Sequence, residues 1–309
     1  MGIVVIGAVF VDIKGFPHQQ YIPTGRNVGR IEYVHGGVAR NVVEDIANME
    51  LRPTFLSIVD DTPMGDDVLK KLRNHKVNCD YMQVIPDGMG TWLVVFDNSG
   101  DVAGSISKRP IMRPLIDILE EKGDEIFANA DSVVLEVDLE KELVKKVLEL
   151  GKKHNKKLFG LVSNMSLAVQ RRDFIKQFDC LICNQLEAGI LFADDYSEKT
   201  PEELCEIISN KVSQASFPAL VVTMGGEGSV YADYTGEKGI CPPRKVQVKD
   251  TTGAGDAFCA GVAAAMTYGK PLAEAVEIGT MLAASVITST DNVCPRFQPE
   301  ELGIHVNFD

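Results

Sequence analysis

The chain has 309 residues, of which 45% are hydrophobic and 24% charged, and its formal net charge is −13. This composition is typical of a globular protein with one large α/β domain or two smaller ones. An acidic chain without a basic run argues against a nucleic-acid polymer or an anionic membrane as partner. It leaves a small anionic ligand open, because one local pocket can oppose the overall field.

The N-terminal segment and the cysteines indicate a cytoplasmic protein. The first residues, MGIVVIGAVFVDIKG, carry no basic segment, and Asp12 ends an apolar run that is too short for a membrane span. We therefore predict neither a signal peptide nor an anchor. Seven scattered cysteines, an odd number, favour reduced thiols. Cys180 and Cys183 form a C-x-x-C pattern inside a predicted strand, where their thiols face opposite ways.

Short apolar, β-branched runs alternate with amphipathic helical runs along most of the chain. Continuous apolar strands separated by helices are typical of a parallel sheet covered by helices on both faces. We predict one α/β domain over 1–309. In chain order its predicted elements are strand 3–10, helix 38–49, strand 53–60, helix 66–75, strand 132–137, helix 141–154, strand 157–163, strand 178–184, helix 202–214 and strand 219–225.

Two stretches, 13–35 and 81–107, interrupt this alternation. Neither contains a good helix, and the second includes TWLVVFDNSGDVAGSIS, in which Asn98, Ser99 and Gly100 predict a turn between two strands. We predict that both stretches project from the main sheet as a small β-sheet lid. Its exposed edges favour pairing across a homodimer.

The segment KDTTGAGDAFCAG, 249–261, places an acid beside two glycines and ahead of small and apolar residues. A helix that begins here presents unpaired N–H groups and the positive end of its dipole, and glycines let the backbone approach an anion closely. The pattern therefore predicts a phosphate site. Asp256 has two interpretations. Acids are favoured at helix N-termini, and a carboxylate beside a phosphate pocket can accept a proton from an attacking hydroxyl.

Other nucleotide-binding motifs do not match the sequence. A P-loop requires G-x-x-x-x-G-K-[ST], which the chain lacks, and a Rossmann fingerprint requires a third glycine where Phe258 stands. The first predicted strand carries only Gly7 before Asp12. A dinucleotide oxidoreductase therefore remains as a lesser alternative, and a titration with NADH separates the two classes.

Four short motifs follow one another along nearly the whole chain. In this order they resemble the signatures of the ribokinase-like, PfkB-type carbohydrate kinases. The resemblance implies a ribokinase-like α/β fold, with a mostly parallel sheet and a lid, and transfer of phosphate from ATP to a sugar or nucleoside. The motifs are GGVARN (36–41), NQLE (184–187), TMGGEG (223–228) and DTTGAGD (250–256).

The resemblance also implies roles in phosphoryl transfer. Asp256 would deprotonate the acceptor hydroxyl, and the N–H groups of Gly253, Ala254 and Gly255 would form an anion hole. Asn184 and Glu187 would organise Mg²⁺ through water, since Mg²⁺ usually keeps several waters and sits on substrate phosphates. Taken singly, Asn and Glu in such positions are more often an ordinary helix cap and a surface acid.

Further residues are assigned to ATP and to a monovalent cation by the same resemblance. Thr223, Gly225 and Gly228 would line the ATP phosphates and ribose. Thr280 stands where relatives often have asparagine near the adenine. Asp250 and Thr252 resemble ligands of the monovalent cation, K⁺, that many relatives bind.

The first strand and the paired glycines are assigned to the acceptor substrate. Asp12 ends the strand at the edge where crevices open in parallel sheets, although strand termination alone also explains it. By resemblance Asp12 chelates two vicinal hydroxyls, and Asn41 with the Gly36 and Gly37 backbone completes this clamp. Thr91 opens the second lid stretch, next to Trp92, and is assigned to the substrate site as well.

Within the family, two stretches resemble pseudouridine kinases: NVGRIEYVHGGVARN (27–41) and DNSGD (97–101). Val28 stands where the pattern of those enzymes has proline. We therefore expect phosphorylation of the 5′-hydroxyl of pseudouridine, with another sugar or nucleoside, such as ribose, fructose or adenosine, as the alternative. A non-catalytic sugar-binding relative comes third, because every core catalytic position is present.

Overall fold

The chain folds around an eight-stranded sheet, seen in a computed structural model that describes residues 2–306 and, at 171 and 172, only the backbone. The strands are β1 Ile3–Ile6, β2 Phe10–Pro17, β3 Gly29–Gly36, β4 Thr54–Leu56, β5 Ile58–Val59, β6 Gln83–Val84, β7 Gly90–Phe96, β8 Val102–Lys108, β9 Ser132–Glu136, β10 Lys157–Leu161, β11 Cys180–Asn184, β12 Ala219–Thr223, β13 Ser229–Asp233 and β14 Lys238–Cys241. The helices are α1 Val38–Asn48, α2 Pro63–Asn74, α3 Pro114–Asn129, α4 Lys141–Lys153, α5 Met165–Ala168, α6 Arg172–Ile175, α7 Gln185–Phe192, α8 Pro201–Ala215, α9 Ala254–Thr267 and α10 Leu272–Val286.

The main sheet has the order β14-β13-β12-β11-β10-β9-β1-β4. Neighbours from β12 to β4 run parallel, and β13 and β14 add an antiparallel edge. Strand β1, with the sequence IVVI, is buried along its whole length, as expected for a strand covered on both faces. The prediction of a mostly parallel sheet is confirmed.

Helices cover both faces of this sheet and enclose two apolar cores. Val5 of β1 faces the core under α1, α9 and α10, while Val4 faces the core under α3, α4 and α8. The thiols of Cys180 and Cys183 likewise fall into different cores, as predicted. The small residues of α9 have a packing reason: a Cβ at Gly261 would lie 2.8 Å from the Gly279 Cα of α10.

The lid is a separate four-stranded sheet of order β3-β2-β7-β8. Strands β7 and β8 form an antiparallel pair, and Gly100 takes φ +86° in the turn between them. The predicted lid and its turn are therefore confirmed, with one correction. Gln83–Val84 pairs with β5 beside the main sheet, so the stretch 81–107 joins the lid only from Gly90 onward.

Element bounds differ from the prediction where a local bond decides them. The predicted strand 53–60 is divided into β4 and β5, because β4 pairs with β1 in the main sheet and β5 pairs with β6, and Ser57 between them donates its hydroxyl to the Gly7 carbonyl at 2.5 Å. Helix α2 begins at Pro63, three residues before the predicted start, because the Thr62 hydroxyl caps it and proline is favoured at a first helical position. Within residues 2–306, the helices are too short or too polar to cross a membrane.

Candidate active site

Two neighbouring openings lie at the carboxyl edge of the main sheet, where α/β proteins bind ligands. The first, which we call the lid pocket, has a volume of about 320 Å³, at the low end of the roughly 300–1,000 Å³ of small-molecule sites. The second has about 1130 Å³, and we call it the nucleotide groove after the ATP residues that the sequence predicts there. The lid pocket is lined by Phe10, Asp12, Gly36, Gly37, Val38, Asn41, Trp92, Ser107, Arg109, Glu136, Ser163, Asn164, Thr252 and Asn292.

Asp256 and Asn41 join the glycine-rich loop to helix α1. The Asn41 Nδ2 donates a hydrogen bond of 2.6 Å to the Asp256 Oδ2. Residues 215 positions apart in the chain therefore share one bond at the pocket. The motifs GGVARN and DTTGAGD, read separately in the sequence, meet here.

The amide of Asn41 is fixed in one orientation by its neighbours. Its Oδ1 accepts from the Arg40 guanidinium and, at 3.2 Å, from the Asn292 Nδ2. Arg40 is itself buried and pairs with Glu44 at 2.5 Å. Because both donors face the Asn41 oxygen, its Nδ2 is left to face Asp256. Asn292 was not identified from the sequence, because it lies in a loop without a recognised motif.

The surroundings of Asp256 adjust its pKa to the working range of a general base. Burial raises the pKa to about 7, while the hydrogen bond from Asn41 and the charge of Arg40 oppose that rise. The carboxylates of Asp12 and Glu187 raise it further. A base with a pKa near the ambient pH combines an adequate ionised fraction with real proton affinity.

The loop before α9 exposes backbone instead of side chain. Gly253 caps the helix with φ +83° and offers no capping side chain, and a Cβ there would lie 2.1 Å from the Asn292 carbonyl oxygen. Only glycine fits this position without strain. Gly255 faces open space, whereas the Ala254 N–H is directed at the Thr251 carbonyl at 3.3 Å. The helix N-terminus is thus accessible to an anion, as the sequence predicts.

Asp12, Gly36, Gly37 and Asn41, which the sequence assigns to a hydroxyl clamp, all line the lid pocket. Asp12 lies on β2, and a Cβ at Gly36 would lie 2.5 Å from its Oδ1, so the glycine lets the carboxylate lie against the backbone. Gly37 takes φ +97° and leads into α1, which carries Asn41. Burial raises the pKa of Asp12, and the charges of Lys14 and Arg40 oppose the rise.

The side chains of Thr91 and Trp92 lie on opposite faces of the lid sheet. Trp92 pairs with Asp12 across β2 and β7 and lines the lid pocket. Thr91 pairs with Val11, and because side chains alternate along a strand it lies on the other face, outside the pocket lining. The structure thus brings Trp92, and not Thr91, to the predicted substrate site.

Three residues that line the lid pocket, Arg109, Glu136 and Ser163, form a cluster with the buried Asp138 behind them, and the sequence analysis missed all four. We call it the acid–arginine cluster. The Ser163 hydroxyl donates to Glu136 at 2.7 Å and to Asp138 at 2.8 Å, and the Arg109 Nη2 lies 2.5 Å from the Asp138 Oδ2. Glu136 ends β9, which adjoins β1, and Asp138 follows two residues later, so acids at that strand end were the available signal.

Glu136 is a buried acid of this cluster, like Asp138. Burial, together with the neighbouring Asp138, raises its pKa to about 7. The Ala8 N–H donates to its Oε2 at 2.9 Å, and Arg109 lies 3.9 Å from its Oε1. These groups hold the carboxylate at one position in the wall of the pocket.

The nucleotide groove brings together three of the predicted ATP residues. Asn184 at the end of β11, Thr223 at the end of β12 and Gly225 in the following turn all line it. Asn184 also accepts the Glu187 N–H at 2.8 Å, while Glu187 accepts the Asn184 N–H at 2.8 Å. The two residues are therefore a capping box of α7, the ordinary structural role that the sequence left open.

The other two predicted ATP residues lie together outside the groove lining. Gly228 lies against the Cys241 carbonyl at the end of β14, and the Thr280 hydroxyl is 3.3 Å from the Cys241 Sγ. That hydroxyl also donates to the Val276 carbonyl within α10 at 2.9 Å. They mark the side where α10 approaches the antiparallel edge of the sheet.

Glu187 and the loop of Asp250 are the two places where the sequence predicts cations, Mg²⁺ at the first and K⁺ at the second. Among the described residues, no group of three or more acids, histidines or cysteines forms a metal cage. One carboxylate, Glu187, beside the groove fits Mg²⁺ held mainly by water and phosphate. In the loop of Asp250, Thr252 donates to the Asp250 Oδ1 through its N–H at 2.9 Å and its hydroxyl at 2.8 Å, so this carboxylate is held by the loop itself.

Comparison with known proteins agrees with this geometry. The model of the pfkB family of carbohydrate kinases matches residues 2–294. The chain is 36% identical to a guanosine-inosine kinase of Exiguobacterium acetylicum over 94% of this chain and 95% of that one, and 28% identical to a pseudouridine kinase of Escherichia coli strain K12 over 89% and 86%. The fold is that of Arabidopsis thaliana ribokinase, solved with ribose and ATP: the TM-score is 0.85, at 20% identity over 97% of both chains.

The resemblance drawn from four motifs is thereby confirmed, as are the ribokinase-like fold and the class of enzyme. The family accounts for both openings at the sheet edge, since a kinase must hold a nucleotide and an acceptor side by side. The chain belongs to the pfkB family of carbohydrate kinases and is an ATP-dependent sugar or nucleoside kinase.

Proposed function

We propose that the chain transfers the γ-phosphoryl group of ATP to the 5′-hydroxyl of a ribonucleoside. The observation that carries the proposal is the lid pocket itself. Its lining joins Asp12 and Asn41, which suit a pair of ribose hydroxyls, and Asn41 in turn donates to Asp256. Trp92 and Arg109 extend the same pocket beyond the clamp, where a base attached to the ribose would lie.

In the proposed reaction Asp256 accepts the proton of the 5′-hydroxyl as its oxygen attacks the γ-phosphorus. The bond from that phosphorus to the β,γ-bridging oxygen breaks, and ADP leaves. Negative charge on the transferring group is stabilised by the N–H groups of Gly253 and Gly255 at the positive end of α9, and the predicted Ala254 N–H would join them only by leaving the Thr251 carbonyl that it faces at 3.3 Å. Asn41 holds the Asp256 carboxylate, and the lid keeps water from competing for the phosphoryl group.

Two cations belong to the proposal. Mg²⁺, when bound to the nucleotide phosphates near Glu187, neutralises charge on the β- and γ-oxygens. Asp250 and Thr252 would hold K⁺ next to the loop. The K⁺ assignment predicts a faster reaction in potassium than in tetramethylammonium buffer of equal ionic strength, and equal rates would remove it.

Guanosine or inosine is the first candidate acceptor. The guanosine-inosine kinase is 36% identical to this chain. The alignment covers 95% of that enzyme and therefore includes the whole site and the lid. Pseudouridine is the second candidate. The stretches 27–41 and 97–101 match the pattern of pseudouridine kinases, and such an enzyme is 28% identical.

The test is a panel of acceptors with ATP and Mg²⁺, assayed by ADP formation. The panel contains inosine, guanosine, pseudouridine, uridine, adenosine, ribose and fructose. We expect kcat/KM to be highest for a nucleoside and at least about 100-fold lower for free ribose, because the groups around the base then have no partner. Ribose or fructose as the preferred acceptor would overturn the nucleoside proposal and leave the family assignment intact.

We further propose that two copies associate through their lids in the cytoplasm. Strands β3 and β8 are free lid edges, and the face turned away from the pocket carries a row of exposed apolar side chains. The row runs from Tyr33, 61% exposed, through Leu93 to Ile106, 70% exposed. Light scattering should give a dimer that Ile106→Lys dissociates. Ile111→Lys, an equally exposed site outside the lid, is the control, and a monomeric unmodified protein would contradict the proposal.

A further inference from the structure

Arg109 is the cation of the acid–arginine cluster, and only part of its guanidinium is engaged. The Nη2 pairs with Asp138 at 2.5 Å and lies 3.9 Å from Glu136. The Nε and Nη1 make no hydrogen bond to any residue that the structure describes. The side chain is 33% exposed, and it lines the lid pocket. Free N–H donors therefore face the cavity.

The anchoring of Arg109 gives these donors a fixed direction. Asp138 is buried and is itself held by the Ser163 N–H at 3.1 Å and hydroxyl at 2.8 Å. A guanidinium that is planar and held at one edge presents its remaining donors as a rigid fork. Such a fork recognises two acceptors that lie side by side.

Arg109 joins the lid to the sheet edge, because its guanidinium is held beside Glu136 and Asp138 at the end of β9. It follows directly after β8, whose Ser107 pairs with Trp92 across the lid. Asp256 and Asn41 lie with α9 and α1 on the main body. A ribose that is bound by Asp12 with its 5′-hydroxyl at Asp256 therefore directs its base toward Trp92 and Arg109.

We propose that Arg109 determines the specificity for the nucleobase and selects a base with a carbonyl group where a competitor has an amino group. This inference rests on the proposed nucleoside kinase activity. A 6-oxopurine offers O6 and N7 as adjacent acceptors, which is the pattern that arginine binds in pairs. Adenine offers an amino donor at position 6, and two donors that face each other leave both unpaired. Uridine and pseudouridine present carbonyl O4, and cytidine presents an amino group there.

The experiment compares kcat/KM for inosine against adenosine and for uridine against cytidine. The unmodified enzyme should prefer the oxo member of whichever pair it accepts. In Arg109→Gln that preference should fall by about 10- to 100-fold, because glutamine has one donor and one acceptor and suits the N6 and N7 of adenine. The value for adenosine should stay level or rise. Lys108→Gln is the matched control, since Lys108 forms its ion pair with Asp87 on the exposed surface.

Arg109→Gln leaves the buried Asp138 carboxylate without its cation and could therefore destabilise the fold. A second variant controls for this effect. Arg109→Gln combined with Asp138→Asn removes both charges and should show the same loss of preference. The quenching of Trp92 emission by inosine and by adenosine gives a binding measurement that does not depend on turnover. Equal losses for both members of a pair, in both variants, would overturn the assignment of Arg109 and leave the nucleoside kinase standing. An enzyme that phosphorylates none of these nucleosides would overturn both.

Discussion

The N-terminus of α9, which is linked to the lid pocket through Asn41, and the inner face of the lid are built in different ways. At α9 the chain offers backbone, with Gly253 at φ +83° and Gly255 facing open space, and a single carboxylate, Asp256. At the lid it offers side chains, above all Asp12 and Trp92 on paired strands. Backbone N–H groups at a helix N-terminus suit a phosphoryl group, which is the same for every acceptor. Side chains on the lid strands suit the acceptor, which is the part of the reaction that differs from one kinase to another.

The largest effect is expected at the α9 side. Asp256→Asn should lower kcat by about 10²- to 10⁴-fold, the usual contribution of a positioned base, while ATP binding and the fold are retained. Asp291→Asn, an exposed acid in the loop that also carries Asn292, is the control and should leave kcat unchanged. Stopped-flow or coupled assays give kcat, and calorimetry gives the ATP affinity. Near-normal turnover of Asp256→Asn would remove this residue from the mechanism.

The lid side should respond in KM for the acceptor. Asp12→Ala removes hydrogen bonds to buried hydroxyls, at about 1–3 kcal/mol each, and should raise that KM by roughly 10- to 100-fold with little change in ATP affinity. Asn41→Ala should alter both KM and kcat, because Asn41 also donates to Asp256. If calorimetry shows that Asp12→Ala loses ATP binding instead, the two halves of the site have been assigned in reverse.

A smaller effect tests the link between the two sides. Burial holds the pKa of Asp256 at about 7, so kcat/KM should fall as the pH drops below about 7 and this base becomes protonated. In Asn292→Asp a carboxylate replaces the donor that faces the Asn41 Oδ1, so the Asn41 amide should rotate and turn its oxygen, instead of its Nδ2, toward Asp256. The loss of this donor should raise the pKa of Asp256 and move the acid limb of the kcat/KM profile upward by about one pH unit. Asn292→Ala should move it less. An acid limb that is unchanged in Asn292→Asp would show that Asn41 is held by Arg40 alone.

The smallest expected signal is spectroscopic and belongs to the lid. Trp92 is the only tryptophan of the chain and lines the lid pocket. A nucleoside acceptor should therefore change its emission, and a sugar that is not a substrate should not. Emission that ignores a saturating, turnover-competent acceptor would contradict the placement of Trp92 beside the substrate.

The sequence predicted the α9 side better than the lid side, for a physical reason. A backbone anion site needs glycines at fixed spacing, so GAGD can be recognised in the sequence without knowledge of the fold. The apolar run of β1 can be recognised as a buried strand in the same way. The residues of a side-chain site can be predicted only when the strand register is known. Thr91 was assigned to the substrate in place of Trp92 because one residue decides which face of β7 is presented.

The residues that were missed depend on long-range contacts. Arg109 and Asp138 are 29 positions apart, and Asn292 lies 251 positions from Asn41. No local pattern joins the members of either pair, since Arg109 and Asn292 lie outside the recognised motifs, and the acids at the end of β9 and Asn41 of GGVARN do not reveal their partners. Short elements were missed for a related reason: α7 follows β11 directly and has only eight residues, too few for a clear helical period.

The position of the new phosphate tests the central claim most directly. Inosine, guanosine and pseudouridine are each incubated with ATP and Mg²⁺, and the products are examined by phosphorus NMR and mass spectrometry. The account predicts one nucleoside 5′-monophosphate per ADP, with the phosphorus coupled to the two 5′ protons, and no product from the 5′-deoxynucleoside. Phosphate on a ring hydroxyl, or ADP with inorganic phosphate and an unmodified nucleoside, would contradict it.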